Sequence, residues 1–188
     1  FAIGLPAIPL LASQILWKNL IADGLPALAL SQSAESLEVL NTPPRPRGSP
    51  LLERHHKVLI GVMSVLFALV GLLLFILFLN SGDGGVAYAR STVFAFVSLA
   101  PLLNVVNLKK ESSGTPDLRG IFENSYLVCA LGLSIGLLIV AFSVPFFRGV
   151  LHLTPLSLLT WLQVLVLSVL CVMVVGLAKE KILHRFAK

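Results

Sequence analysis

Five apolar segments dominate this sequence, and each is long enough to cross a bilayer as a helix. A hydrocarbon core of roughly 30 Å needs about 20 helical residues. None of the segments alternates strictly between apolar and polar residues, and backbone groups in lipid must find partners within the chain. We therefore predict an all-α fold, a polytopic transmembrane helical bundle with about five full spans. The spans cover residues 14–30, 58–79, 91–108, 126–147 and 155–177.

The composition excludes an ordinary soluble domain. Of the 188 residues, 56% are hydrophobic and only 12% are charged, whereas soluble domains carry about a quarter charged residues. A formal net charge of +5 could indicate binding to nucleic acid, but the charges lie between the apolar segments and form no basic domain. We predict membrane lipid as a partner and no nucleic acid.

The basic residues are distributed asymmetrically. Eleven of the fourteen Lys and Arg side chains lie in segments 31–57 and 108–124 and in the C-terminal tail, whereas the intervening loops contain only Arg90 and Arg148. Basic loops remain on the cytoplasmic side of a membrane. The segment 31–57 is therefore predicted to be a cytoplasmic loop, the C-terminus to be cytoplasmic, and the glycine-rich turn at 80–85 to lie outside.

The first span contains polar residues that a simple membrane anchor does not need. Asn19 and Asp23 are four residues apart, so an α-helix places them on one face. An acid near the bilayer centre costs about 2.5–3.5 kcal/mol on insertion scales, which makes a functional partner the default hypothesis. Gly24 and Pro26 follow at once and should break the helix, freeing carbonyl oxygens beside the carboxylate. Such oxygens are ligands for hard cations.

A purely structural role for Asp23 is the alternative, in which the acid is neutral or pairs with Lys18 inside the bundle. The two residues are five positions apart, which is roughly 140° around an α-helix, so direct pairing looks awkward. Lys18 is expected instead to extend to the outer interface or to face a cavity.

The motif around this acid resembles a known family. The sequence from Trp17 to Ala27, WKNLIADGLPA, followed by Asn41, Pro43, Pro44 and Arg45, resembles the sixth transmembrane helix and the next cytoplasmic loop of P-type cation-transporting ATPases of the calcium-pump type. The resemblance extends over nearly the whole chain. It implies that the five spans correspond to helices six to ten of such a pump.

Carried over to this sequence, the resemblance implies that Asn19 and Asp23 are the metal ligands and that no catalytic or cofactor-binding residue is present. Two-site calcium pumps have a Thr where this chain has Ala22, and a Glu where it has Pro101. Neither replacement offers a side-chain oxygen. A single site for Ca²⁺ or Mn²⁺, as in secretory-pathway pumps, is the expectation, with room for a proton or a monovalent ion.

The resemblance also implies a domain organisation. Residues 1–13 would be the end of a preceding helix and an outer loop, and residues 14–188 the C-terminal transmembrane domain. The phosphorylation motif Asp-Lys-Thr-Gly-Thr does not occur in the sequence, so Mg-ATP would be handled by other domains of the ATPase. Those domains and the other helices are the expected partners, and the chain alone is not expected to hydrolyse ATP. The alternative is a free-standing secondary transporter, channel or scaffold.

Other candidates have plainer interpretations. Asn104 and Asn107 share a face of the third span and could line a polar path, but interhelical hydrogen bonding is the commoner use of Asn in membranes. Gly132 and Gly136 form a Gly-x-x-x-Gly motif that predicts a close helix contact. No Cys or His residues occur at metal-ligand spacing, so a zinc site is not expected.

Overall fold

The computed structural model describes residues 7–31, 54–79, 85–108 and 125–186, and their regular structure is entirely helical. The prediction of an all-α fold is confirmed. The elements, in chain order, are α1 (Ala12–Trp17), a π-helical segment (Lys18–Asp23), α2 (Gly24–Ser31), α3 (Arg54–Leu79), α4 (Gly85–Leu108), α5 (Ser125–Ser143), α6 (Pro145–Leu151) and α7 (Leu158–Phe186).

Four of these helices, α3, α4, α5 and α7, are long and apolar enough to cross a membrane. The first predicted span is not among these four: residues 12–31 form a composite of α1, the π-helical segment and α2, which follow one another without a gap. Residues 7–11, before it, are not helical. The architecture is that of a helical membrane bundle with multiple spans.

Helix α4 lies at the centre of this bundle: it packs against α3 and α7, which also contact each other, and it contacts α5 and the π-helical segment. Its buried side chains include Phe94 and Phe96, neither of which has any exposed surface. Phe94 packs against Phe142 of α5 with ring centroids 6.0 Å apart, and Phe142 meets Trp161 of α7 edge-on at 5.0 Å. This aromatic chain joins three helices through one core.

The outward faces of α3 and α7 are apolar. Large exposed side chains on these faces include Val65, Leu69, Leu73, Val166 and Leu170. A soluble protein rarely exposes so continuous an apolar surface. In contact with lipid instead of water, these apolar side chains are exposed without a free-energy cost, which agrees with an integral membrane protein.

The fourth span departs from its predicted limits. It was expected over residues 126–147, with an outer loop after it, but α5 ends at Ser143 and the chain bends at Val144. Pro145 then begins the short helix α6, because proline suits the first helical turn, where its missing N–H has no role. His152 ends α6 in the left-handed conformation, with φ of 52°. The predicted outer loop therefore contains a helix.

The Gly-x-x-x-Gly prediction is wrong for the described part of the chain. Nothing lies within 4 Å of the place where a Cβ would stand at Gly132 or Gly136. Small residues permit a close helix contact without enforcing one.

Two loop predictions lie mainly outside the described residues. Of the predicted cytoplasmic loop 31–57, residues 32–53 are not described, and its last four residues form the first turn of α3. Of the predicted outer turn 80–85, only Gly85 is described; it begins α4 with a positive φ of 61°.

Candidate cation site

The candidate site lies on a π-helical turn in the middle of the first span. The N–H of Gly24 donates to the carbonyl of Asn19, five residues earlier, and Gly24 itself keeps helical dihedral angles (φ −68°, ψ −47°). The expected break at Gly24 and Pro26 is therefore wrong. Just before the proline, the backbone hydrogen bonds join residues five apart instead of four, which widens the helix. The chain then continues as α2.

Two features accompany the π-helical turn, one in the sequence and one in the packing. Pro26 has no N–H, so the Ile21 carbonyl, five residues earlier, lacks the donor that π-helical spacing would give it. The hydroxyl of Ser134 on α5 donates to that carbonyl over 3.0 Å. The Ile21 carbonyl, two residues before the acid, therefore binds a neighbouring helix.

The two predicted ligands both reach the molecular surface from this turn. Asn19 is exposed, and the side chain of Asp23 keeps 42% of its surface accessible. Ala22, between them, is buried at 6% exposure. The turn thus directs a methyl group toward the bundle and leaves the side chains of Asn19 and Asp23 accessible at the surface.

Lys18 forms an ion pair with Asp23, contrary to the sequence prediction. Its Nζ lies 2.5 Å from Oδ2 of Asp23. The prediction assumed the α-helical period, in which residues five apart diverge. In a π-helical turn, residues i and i+5 follow one another along the same face, as the backbone hydrogen bonds do. Lys18 therefore contacts the acid directly.

A buried amide that the sequence analysis missed fixes the N-terminal end of the first span. Gln14 has no exposed surface. Its Nε2 donates to the Leu151 carbonyl at the end of α6 over 3.0 Å, and its Oε1 accepts from the N–H of Leu11. Beside it, Trp17 packs against Phe147 with ring centroids 5.3 Å apart. The sequence signal that could have indicated this contact is a glutamine within an apolar segment.

Asn104 and Asn107 join α4 to its neighbours, which confirms the interhelical interpretation. The Asn107 amide donates to the Val172 carbonyl of α7 over 2.8 Å and to Oδ1 of Asn104 over 2.9 Å. Asn104 in turn contacts the sulfur of Met63 on α3. Lys179 donates to the Asn107 carbonyl over 2.7 Å, near the C-terminal end of α4. These amides serve helix packing.

Taken together, the apolar helices and the polar turn within the first span define an integral, multi-pass helical membrane protein with a charged residue pair in one span. The chain belongs to the cation-transporting ATPase family. The family model described as "Cation transporting ATPase, C-terminus" matches residues 7–180.

Curated relatives agree with this assignment. The chain is 30% identical to a calcium-transporting ATPase of Bacillus subtilis over 89% of its own length, and 33% identical to calcium-transporting ATPase 1 of Schizosaccharomyces pombe over 74%. It is 31% identical to the mouse calcium-transporting ATPase type 2C member 2 over 73%. The aligned regions make up only 18%, 16% and 14% of those relatives.

Proposed function

We propose that this chain is the C-terminal membrane domain, residues 14–188, of an ATP-driven pump for Ca²⁺. In this proposal Asn19 and Asp23 are its ligands for the transported cation. The observation that carries the proposal is the π-helical turn, which holds both a carboxylate and an amide in accessible positions. Asp23 is also the only acid within the five apolar segments of the sequence.

The chemistry of this turn suits a hard divalent cation. Ca²⁺ prefers six to eight oxygen ligands, and a carboxylate offsets part of the free energy lost when water leaves the ion. Asn19 adds a neutral oxygen from the same turn. The remaining ligands would come from other helices of the ATPase, and Mg-ATP would act in its cytoplasmic domains. The names of the relatives favour Ca²⁺, and Mn²⁺ uses the same oxygen ligands.

We expect the pump to carry one cation per cycle. The second site of two-site pumps would need side-chain oxygens at positions 22 and 101, where this chain has the buried methyl group of Ala22 and the ring of Pro101. The measurement is the amount of ⁴⁵Ca²⁺ occluded per phosphoenzyme in the purified full-length ATPase. One ion per phosphoenzyme is the expected ratio.

The same assay on Ala22→Thr supplies a control for this stoichiometry, because it restores one hydroxyl and leaves Pro101 in place. A ratio of one should persist in that variant. Two ions per phosphoenzyme in the unaltered protein would overturn the single-site proposal.

The proposed topology places the C-terminus and residues 31–57 in the cytoplasm. We expect Gly84→Cys to react with an impermeant maleimide added outside intact cells, and Gly48→Cys to react only after permeabilisation. Cys129 is exposed in a span and Cys171 is buried, so both are replaced by Ala beforehand. Labelling of Gly84→Cys only after permeabilisation would reverse the orientation.

A further inference from the structure

The ion pair within the candidate site has a consequence for cation binding. We propose that Lys18 is a tethered counter-cation, which occupies Asp23 while no transported cation is bound and leaves the carboxylate when the cation arrives. This inference rests on the proposed function, since it takes Asp23 to be a ligand. It makes Lys18 a residue that sets the affinity of the site without contacting the ion.

The π-helical turn is what makes this arrangement possible. An α-helix would hold Lys18 and Asp23 on different faces, whereas the i→i+5 spacing brings Nζ to 2.5 Å from Oδ2. The two side chains are 25% and 42% exposed, so neither is locked inside the bundle. Four methylene groups connect the ammonium to the helix, and they allow it to move away while the backbone stays in place.

Charge decides which partner the carboxylate prefers. A lone carboxylate in an apolar segment is costly, and the ammonium offsets that cost while the site holds no ion. A divalent cation has twice the charge of Lys18 and is attracted more strongly at an equal distance. It can therefore displace Lys18, but it binds more weakly than it would to a free carboxylate, because the ion pair must first be broken.

A merely structural lysine would behave in the opposite way. If Lys18 only stabilised the π-helical turn, its removal would loosen the ligands and weaken cation binding. A tethered competitor, once removed, leaves Asp23 free and strengthens binding. The direction of the change in cation affinity therefore separates the two roles.

The experiment compares Lys18→Met with the unaltered full-length ATPase, measuring phosphoenzyme formation from ATP against free Ca²⁺ concentration. We expect the half-saturating Ca²⁺ concentration to fall by about two- to fivefold, in line with the loss of a partly exposed ion pair. Lys18→Arg keeps the positive charge and should stay close to the unaltered protein. Lys57→Met, which changes an exposed lysine on α3, is the matched control and should not alter the Ca²⁺ response.

An unchanged or raised half-saturating concentration in Lys18→Met would overturn the proposal. If that variant fails to fold, Lys18→Gln removes the charge while keeping a polar side chain of similar reach, and the same result is expected of it. Asp23→Asn, assayed in parallel, tests the underlying function. If Asp23→Asn still responds to Ca²⁺ like the unaltered protein, then the proposed site itself is wrong; if it loses the response while Lys18→Met shows no gain, only the role of Lys18 is wrong.

Discussion

Replacing Asp23 by Asn is expected to abolish cation-dependent phosphorylation and transport by the full-length ATPase. The substitution keeps the shape of the side chain and removes its charge. Two charges at ligand distance attract one another by several kcal/mol even at the effective dielectric of a protein surface. We therefore expect the half-saturating Ca²⁺ concentration to rise by more than about 100-fold, and transport into vesicles at micromolar Ca²⁺ to be lost.

Asn19→Ala should have a smaller effect in the same assays. It removes one neutral oxygen and leaves the charge of the site unchanged, so a weakening of about tenfold is expected, which corresponds to roughly 1.4 kcal/mol. A graded pair of effects, large for Asp23 and moderate for Asn19, is what two ligands on one turn should produce.

The ion pair with Lys18 requires a further control, because Asp23→Asn also leaves an ammonium without its partner. An unpaired charge in an apolar segment can itself disable a protein. The double variant Lys18→Met, Asp23→Asn removes both charges. If Asp23 is a ligand, the double variant stays inactive; recovery of the Ca²⁺ response would show that stranded Lys18 caused the loss and that Asp23 has only a structural role.

The spans were predictable from the sequence because their length and apolar character follow directly from the thickness of a bilayer. Their ends were less predictable. Local residues decide them, as when Pro145 separates α6 from α5 and shortens the fourth span. The positions of Asn19 and Asp23 on one turn were also available from spacing alone.

The ion pair between Lys18 and Asp23 could not be found from the sequence because it depends on the π-helical turn. That turn combines a proline at position 26 with a hydrogen bond from Ser134, which is 113 residues away from Ile21 along the chain. An α-helical period was the natural assumption, and it gave the wrong face for Lys18. The backbone geometry of this turn, which a tertiary hydrogen bond accompanies, decides which side chain meets the acid.

The glycines at close helix contacts could not be identified from a sequence motif either. The Gly-x-x-x-Gly motif pointed to Gly132 and Gly136, where an added Cβ would meet no atom of a neighbouring helix within 4 Å in the described structure. Gly176 on α7 belongs to no motif, yet a Cβ added there would lie 3.2 Å from Oδ1 of Asn107. This close approach arises because the buried amide of Asn107 on α4 binds the backbone of α7. It depends on how the two helices pack, which the sequence does not reveal.

Gly176→Val is accordingly expected to destabilise the membrane domain. The side chain of Asn107 cannot easily move aside, since its amide is bonded both to Val172 and to Asn104. Overpacking of this kind costs about 1–3 kcal/mol. For a domain of this size that corresponds to a decrease in Tm of roughly 2–10 °C, measured by thermal denaturation of the purified ATPase in detergent.

The matched control is Gly136→Val, which adds the same side chain to a spanning helix at a place with open space around it. It should lower Tm far less than Gly176→Val, because both substitutions change helix propensity alike and only one meets a fixed neighbour. Asn107→Ala opens space for the new side chain, so adding Gly176→Val to that background should cost less than it does alone. Equal decreases in Tm for the two valine variants would mean that contact with Asn107 does not limit the packing of α4 against α7.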